Sequence, residues 1–374
     1  MNKLKPSNLT LVKKLRHELH QHPEASNHEV LTKQYLIEFL KIHTKLEIVD
    51  RGLWFYAIYH GGDGKKNIAY RADIDAILMA ENLDIPHASK NPGVSHKCGH
   101  DGHAATMAGF ALEIDQNGAD KNIFFLFQHA EETGDGAAQC AVFIKEHDIE
   151  EIFAYHNMSG MKLNAIHVID GTSNFASRGM TITMEGVPTH ASMPELGKNP
   201  AYAMAKVIDA IPEWTSEGNN KGLVLCTVIQ VDVGERAFGI AASKGDLLLT
   251  IRAQYEEELD LLQKNLEELS KAQGEKYELK VSFSYNDIFP VTSNHKVSND
   301  KIRKVAKDKG FVLTEMERGF RGSEDYGHYL KETKGAICFI GNGENHPQVH
   351  TYEYDFPDEI IETAVELFKG LAEI

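Results

Sequence analysis

The sequence has 374 residues, of which 42% are hydrophobic and 25% are charged, a composition typical of a globular protein in water. This length exceeds that of one typical domain and predicts two. The formal net charge of −16 excludes nucleic acids and anionic membranes as expected partners.

The N-terminal residues 1–6 lack the apolar core of a signal peptide, and the sequence contains no run of 18 apolar residues. We therefore expect a cytoplasmic protein. The four cysteines, Cys98, Cys140, Cys226 and Cys338, are widely separated. In a reducing compartment they are expected to be thiols or metal ligands rather than disulfides.

Two helices are predicted near the N-terminus. Leucines recur every four residues over 11–19, which indicates an amphipathic helix that Pro23 ends. Ser26, followed three residues later by Glu29, resembles a capping box and predicts the start of a second helix.

Polar residues follow each of the next strand-like apolar runs. The runs are 67–70, 123–127 and 152–155, and the polar residues after them are 71–75, 128–132 and His156. Helical segments near 103–116 and 136–147 lie between them, an alternation typical of a parallel sheet. Ligands bind outside the carboxyl ends of such strands. We expect that end of the sheet to gather Cys98, His100, Glu131, Glu132 and His156.

The pattern changes after about residue 171. Strand-like runs follow at 180–184 and 247–252. Helical segments follow at 200–211 and 255–273. They predict a small α+β domain over 173–288. A predicted helix at 302–310 and a predicted buried strand at 336–340 then resume the alternation of helices and buried strands seen before residue 171. We therefore predict that 1–172 and 289–374 form one α/β domain, into which the smaller domain is inserted.

The stretch Cys98–His103 combines a thiol, two imidazoles and a carboxylate. Cys98 and His100 can point to the same side, and Gly99 between them lacks the Cβ that would obstruct a close approach. Thiolate and imidazole ligands suit zinc and neighbouring metals. Taken alone, the stretch also fits a buried cysteine beside surface histidines.

Five side chains at predicted loop positions are candidate metal ligands: Cys98, His100, Glu132, His156 and His350. One metal needs three protein ligands and an open position, whereas five ligands that share a thiolate or carboxylate suit two metals about 3.5–4 Å apart.

Three further acidic residues have predicted roles beside these ligands. Glu131 can take a proton from water and pass it to a leaving nitrogen. Asp73 and Asp101 can orient ligand imidazoles. The Glu131–Glu132 pair alone also fits the start of a capped helix.

Six motifs in order resemble those of the M20 metallopeptidase family and its aminoacylase/amidohydrolase branch. That branch includes N-acetyldiaminopimelate deacetylases, indole-acetyl-amino-acid hydrolases and aminobenzoyl-glutamate hydrolases. The motifs are LRHELHQHPE at 15–24, RADIDA at 71–76, CGHDGH at 98–103, AEE at 130–132, GSEDY at 322–326 and HTY at 350–352.

The resemblance implies a catalytic domain with a mixed, mostly parallel sheet and helices on both faces, plus an inserted α+β lid domain that commonly dimerises. It implies two divalent ions per chain, zinc, manganese, cobalt or nickel. Cys98 would bridge them, with His100 and His156 on one ion and Glu132 and His350 on the other.

The resemblance also assigns roles to three further residues. Glu131 would be the general base toward a water that the metals activate. In the lid, His190 would stabilise the oxyanion that forms in the active site, in relatives often that of the neighbouring subunit. Arg252, also in the lid, would hold a substrate carboxylate. Taken alone, His190 and Arg252 also fit ordinary surface groups.

Several positions depart from the pattern of the branch. His129 and Thr133 flank AEE where proline and glycine are usual, and Phe238 replaces an asparagine that contacts substrate in relatives. The run 77–79 replaces the usual Leu-Pro. These departures affect the expected substrate rather than the reaction.

The sequence therefore predicts a metal-dependent amidohydrolase that acts on a small N-acyl amino acid or peptide-like amide, as a homodimer or homotetramer formed through the lid. A dipeptidase or carboxypeptidase of the same fold is one alternative. A catalytically silent protein that binds acylated amino acids is another, although it would have no use for Glu131 as a base. A purely structural metal site fits poorly with ligands spread from 98 to 350.

Overall fold

The structure is a computed structural model that describes residues 4–374. It contains two compact units. The first consists of residues up to Ser173 with Thr292–Arg318 and Asp325–Ile374, and the second of Asn174–Val291 with Gly319–Glu324. Residues 1–3, part of the stretch used to predict that no signal peptide is present, lie outside the described residues. The division into a catalytic domain (1–172, 289–374) and a lid and dimerisation domain (173–288) stays a prediction.

The N-terminal part of the chain contains five helices and seven strands in the described region. They are α1 (Pro6–Gln21), α2 (Val30–His43), β1 (Glu47–Asp50), β2 (Phe55–Tyr59), β3 (Asn67–Asp73), α3 (His100–Asn117), β4 (Asn122–Gln128), α4 (Gly136–Cys140), α5 (Val142–Glu146), β5 (Glu151–Ser159), β6 (Ile166–Val168) and β7 (Gly171–Asn174).

The second unit and the C-terminal part follow. The second unit contains β8 (Ala176–Glu185), β9 (Thr189–His190), α6 (Ala201–Trp214), β10 (Val224–Val233), β11 (Ile240–Ala241), β12 (Lys244–Ala253), α7 (Glu256–Tyr277) and β13 (Lys280–Phe289). The C-terminal part contains β14 (Thr292–Asn294), α8 (Lys296–Lys309), β15 (Leu313–Glu315), α9 (Gly327–Leu330), β16 (Lys334–Gly343) and α10 (Ile360–Glu373).

The first unit is built on one eight-stranded sheet with the order β1-β2-β4-β3-β5-β16-β6-β15. The central pairs β4–β3, β3–β5 and β5–β16 are parallel, as is the edge pair β6–β15. The pairs β1–β2, β2–β4 and β16–β6 are antiparallel. The predicted mixed, mostly parallel sheet is therefore confirmed.

Helices cover both faces of this sheet, as predicted. On β4, Phe125 and Phe127 belong to the core that includes residues of α1, α3 and α10. The alternate residues Phe124 and Leu126 pack instead with residues of α4, α5 and α9. A strand buried on both faces is continuously apolar, which explains the uninterrupted run at 123–127.

The second unit is an antiparallel sheet of four strands, in the order β10-β12-β8-β13, with α6 and α7 packed on it. Met180, Ile182 and Met184 alternate along β8 and face the helices. This confirms the predicted α+β character of the insertion.

The predicted capping box is wrong. Helix α2 begins at Val30, and its N-cap residue Glu29 makes no side-chain capping hydrogen bond. The hydroxyl of Ser26 instead donates to Asp75 Oδ2 (2.7 Å), and Glu29 Oε1 accepts from the N–H of Ala130 (2.8 Å). Both side chains are thus used by loops at the strand ends.

Two predictions about the chemistry of the chain can be compared with the structure. All four cysteines are free thiols, as expected. Among residues 4–374, no helix is long and apolar enough to span a bilayer.

Candidate metal centre

The predicted ligands come from five places in the first unit. Cys98 lies two residues before His100, which is the first residue of α3. Glu132 lies in the loop after β4, and His156 lies on β5. His350 follows β16 in the left-handed conformation (φ 61°), and its N–H donates to the carbonyl of Lys97 (2.7 Å). That bond fastens the His350 loop beside Cys98.

The five side chains form two groups that share the thiol of Cys98. In one group the ligand atoms of Cys98, His100 and His156 lie within 4.8 Å of one another, with 3.5 Å between Cys98 Sγ and His156 Nε2. In the other, Cys98, Glu132 and His350 satisfy the same limit, with 3.3 Å between Glu132 Oε1 and His350 Nε2. This is the grouping that the resemblance implies. We call these five residues the ligand cluster.

The chemistry of the ligand cluster fits divalent ions. The Nε2 atom of His100 is buried and has no hydrogen-bond partner among residues 4–374, so it is available as a ligand. Burial, followed by the charge of Glu132, raises the pKa of the Cys98 thiol well above its usual range. Burial also lowers the pKa of His156 well below its usual range, which keeps the imidazole neutral. A bound cation would favour the thiolate and use the neutral imidazole.

Glu131, the predicted base, is buried next to the ligand cluster. Its Oε2 atom lies 3.9 Å from His100 Nε2, and Glu132 Oε1 lies at the same distance from that nitrogen. Glu131 therefore stands beside the ligands on a separate side chain, as its predicted role requires.

Gly99 allows the tight approach of Cys98 and His100. Its φ of 100° is in the left-handed region, which favours glycine. A Cβ at this position would lie 2.5 Å from Asn157 Oδ1 and 2.6 Å from the hydroxyl of Tyr354. The predicted need for glycine between the two ligands thus has two physical reasons.

Asp75 contacts two residues of the ligand cluster, although it was not among the predicted site residues. Its Oδ1 atom lies 3.0 Å from His100 Nδ1, and its Oδ2 atom accepts a hydrogen bond from the N–H of Glu132 (3.0 Å). Carboxylates that hold the second nitrogen of a ligand imidazole set its orientation and basicity. The sequence does contain a sign of this role, because Asp75 lies in the same RADIDA motif as Asp73.

Asp73 and Asp101 make their short contacts with groups outside the ligand cluster, and their role in orienting ligand imidazoles stays a prediction. Asp73 Oδ1 lies 2.6 Å from Nδ1 of His103, which was not predicted to be a ligand. Asp101 Oδ2 instead lies 2.8 Å from both Arg16 Nε and His20 Nδ1. Both partners of Asp101 lie on α1, which places the buried side chains of Arg16 and His20 against the start of α3.

A buried charge network extends from Asp101 to the residue before Cys98. Glu81 contacts His20 Nε2 (2.9 Å) and Lys97 Nζ (2.5 Å), and the side chain of Glu81 is only 4% exposed. Lys97 also donates to the carbonyl of Tyr354 (2.7 Å). Both sides of the segment that carries Cys98 and His100 are thereby fixed.

The GSEDY motif contributes two fully buried side chains, Asp325 and Tyr326, to the first unit. Asp325 accepts hydrogen bonds from Arg71 Nη2 (2.9 Å), Gln128 Nε2 (2.7 Å) and the N–H of Ala137 (2.8 Å). Tyr326 is also buried, and its hydroxyl donates to the carbonyl of Ile152 (2.8 Å).

The two predicted lid residues lie in the second unit. His190 is exposed on β9, and its Nδ1 atom lies 2.7 Å from Ser192 Oγ and accepts from the N–H of Ser192 (3.2 Å). Arg252 on β12 is partly buried, and its Nη1 atom donates to Ser323 Oγ (2.7 Å) and the carbonyl of Arg321 (3.0 Å). Burial lowers the pKa of Arg252.

Fold and site together define a two-unit α/β protein with a candidate dinuclear metal centre. The model of Peptidase family M20/M25/M40 matches residues 69–374. The chain therefore belongs to this family and is a hydrolase.

Relatives over the whole length support this assignment. The chain is 27% identical to the hippurate hydrolase of Campylobacter jejuni over 367 residues, which cover 96% of this chain and 95% of that protein. It is 26% identical to the N-acetyldiaminopimelate deacetylase of Lacticaseibacillus casei over 360 residues, 92% of each chain. The structure of the Bacillus subtilis YXEP protein, described as a dinuclear metal binding peptidase of the M20 family, has a TM-score of 0.84. It is 23% identical and covers 98% of both chains.

The charge network predicts how stability depends on pH. Burial alone would raise the pKa of Glu81, but hydrogen bonds from His20 and Lys97 lower it to about 2. Because the pKa in the unfolded chain is higher, about 4.3, the ionised carboxylate stabilises the fold fully above about pH 5 and less as the pH falls toward 2. In urea unfolding of the metal-free protein, Glu81→Gln should lower the free energy of unfolding by about 1–3 kcal/mol at pH 7, and this difference from the wild type should narrow below pH 5.

Glu18→Gln, on the exposed side of α1, is the matched control and should have little effect at either pH. If the difference in free energy of unfolding between Glu81→Gln and the wild type stayed constant from pH 7 to pH 3, the ionised Glu81 carboxylate would not be what stabilises the fold.

Proposed function

We propose that the protein is a metal-dependent amidohydrolase that cleaves the amide bond of an N-acyl amino acid. The observation that carries the proposal is the geometry around Cys98: two groups of ligands share its thiol, and the separate carboxylate of Glu131 stands beside them. The relatives hydrolyse hippurate and deacetylate N-acetyldiaminopimelate, by their names. Both substrates contain an amide between an acyl group and an amino acid.

The ligand cluster would hold two divalent ions, of zinc, manganese, cobalt or nickel. His100 and His156 would bind one, Glu132 and His350 the other, and Cys98 both. When bound, the ions supply a Lewis acid that polarises the amide carbonyl and lowers the pKa of water in the site.

The residues of the chain then handle protons and charge. Glu131 accepts a proton from water as the oxygen attacks the amide carbon, and returns the proton to the nitrogen as the carbon–nitrogen bond breaks. The Nδ1 atom of His190 accepts from the N–H of Ser192, so the ring proton lies on Nε2. His190 can therefore donate through Nε2 to the oxygen that becomes negative. Arg252 holds the free carboxylate of the substrate.

A homodimer formed through the second unit is part of the proposal. The outer strand β10 exposes Ile229 (58%) and Val231 (49%), and nearby Phe238 and Ile240 are exposed by 105% and 62%. Unpaired strand edges with exposed apolar residues favour association with another chain. Because Ile240 pairs directly with His190 between β11 and β9, this surface would bring His190 close to the neighbouring subunit.

The other functions considered are less well supported. A dipeptidase or carboxypeptidase would use the same centre, and only a substrate comparison separates it from an acyl-amino-acid hydrolase. A silent binding protein would not need a buried carboxylate beside the ligand cluster. Turnover of hippurate, N-acetyl amino acids and dipeptides by the metal-loaded protein distinguishes the three.

The first prediction concerns metal content. Metal-free protein reconstituted with zinc, manganese, cobalt or nickel should bind two ions per chain, measured by elemental analysis after gel filtration. Cys98→Ala should lose at least one ion and most of the activity, because both groups of ligands share its thiol. Cys226→Ala, a free thiol on β10, is the control and should keep both ions. One ion or none in the wild type would refute the dinuclear centre.

The second prediction concerns the base. Glu131→Gln keeps a hydrogen-bonding oxygen but cannot accept a proton, so turnover should fall by about 10²–10⁴-fold. Metal content and substrate affinity should stay close to those of the wild type. Glu353→Gln, an exposed carboxylate in the loop after His350, should leave turnover unchanged. If Glu131→Gln kept more than about a tenth of the turnover, the proton would have to go elsewhere.

The third prediction places His190 in the neighbouring subunit's site. Glu131→Gln and His190→Ala should each be inactive alone. After the two are mixed and exchange subunits, half of the dimers contain one intact site, so about a quarter of the wild-type activity should return. Glu131→Gln mixed with Glu131→Gln,His190→Ala is the control and should stay inactive. No recovery in the first mixture, with exchange verified by native mass spectrometry, would place His190 in its own subunit's site.

A further inference from the structure

The backbone just before the two glutamates adopts an unusual conformation. Ala130 has a φ of 48°, in the left-handed region that residues other than glycine rarely adopt, and it is fully buried. Such a conformation persists only where the surrounding structure imposes it. The direction in which the chain leaves Ala130 sets where Glu131 and Glu132 point.

One buried side chain holds Ala130 from outside its own loop. Glu29 is fully buried, and its Oε1 atom accepts from the N–H groups of Ala130 (2.8 Å) and Asn27 (3.0 Å). The carbonyl of Ala130 accepts from the N–H of Gly136 (3.1 Å). Both polar groups of the Ala130 backbone are therefore fixed, one of them by a residue 101 positions earlier in the sequence.

Glu29 is available for this contact because another residue serves the helix that it precedes. Glu24 Oε2 accepts from the N–H of Thr32 (2.7 Å) in the first turn of α2. Glu29 itself makes no side-chain capping bond. The carboxylate of Glu29 thus contributes to the loop after β4 rather than to the start of α2.

The same segment also supports the other end of the Ala130–Glu132 run. Ser26 Oγ donates to Asp75 Oδ2, and this oxygen accepts from the N–H of Glu132 (3.0 Å). Ser26 and Glu29, three residues apart, therefore hold the run at both ends, one through Asp75 and the other directly.

We propose that Glu29 is a positioning residue: its carboxylate holds Ala130 in the left-handed conformation and so directs Glu131 and Glu132 at the metal centre. The inference deepens the proposed function and rests on it for the roles of these two glutamates. Glu29 lies outside the ligand cluster, and it acts through the backbone of Ala130.

The test compares four variants. Glu29→Ala removes the acceptor, so its affinity for zinc, measured by competition with a chelator, should fall by about 10–100-fold, and kcat should fall more than KM rises. Glu29→Gln keeps an acceptor oxygen and should stay within about threefold of the wild type. Glu29→Ala,Ala130→Gly should recover most of the zinc affinity and turnover, because glycine adopts positive φ without support. Ala130→Gly alone should resemble the wild type.

Glu24→Ala is the matched control. It removes the carboxylate that bonds the first turn of α2, so it should lower the melting temperature without changing zinc affinity. If Glu29→Ala behaved in the same way, Glu29 would only stabilise the fold and the proposal would be overturned. Failure of Ala130→Gly to rescue Glu29→Ala would overturn the conformational explanation.

Hydrogen exchange of the metal-free protein separates this inference from the proposed function. In Glu29→Ala, the peptide spanning 129–134 should exchange faster, while peptides from α2 keep their protection. That result, with no metal binding or turnover in the wild type, would sustain the positioning of the loop and reject the proposed hydrolase. Unchanged exchange at 129–134 would reject the positioning role whatever the activity.

Discussion

The pairing of the Arg71 guanidinium with two carboxylates and an amide is the interaction on which the strand ends of the first unit depend. Arg71 is only 1% exposed, and a charge buried to this extent is tolerable only when it is paired and hydrogen-bonded. Its Nη1 and Nη2 atoms contact the carboxylates of Asp73 (2.6 Å) and Asp325 (2.9 Å), and its Nε atom donates to Gln128 (2.8 Å). One side chain thereby joins the ends of β3 and β4 to the motif that precedes α9.

Two of the residues paired with Arg71 are close in sequence to residues that contact the ligand cluster or its loop. Asp73 lies two residues before Asp75, which contacts His100 and Glu132. Gln128 lies two residues before Ala130, whose N–H is held by Glu29. A substitution at Arg71 would leave the carboxylates of Asp73 and Asp325 buried without this cation, and Asp73 lies two residues before Asp75. The centre therefore depends on a charge that does not itself belong to the ligand cluster.

The sequence was informative where chemistry requires particular residue types, and less so where a long-range contact decides. The ligands converge as the ordered motifs predict, because a thiol, imidazoles and carboxylates at strand ends have few other reasons to occur together; their binding of metal stays a prediction. Both sheets follow from the spacing of apolar residues. Glu29 could not be interpreted correctly, since Ser26 and Glu29 form the same local pattern whether they cap a helix or support a loop 101 residues away. The contacts of Asp101 could not be predicted, because its partners, Arg16 and His20, lie on α1.

The position of β16 has a consequence for how the protein is made. This strand lies between β5 and β6 in the sheet, yet it follows all the other strands of that sheet in the chain. The segment 174–291, which supplies the second sheet and its two helices, has emerged from the ribosome well before then. Until β16 has been synthesised, the first sheet has a gap between β5 and β6, and the ligand cluster lacks His350, which follows β16. Contacts between distant parts of a chain form slowly. We therefore expect the nascent chain to present an incomplete sheet to chaperones until β16 has emerged from the ribosome.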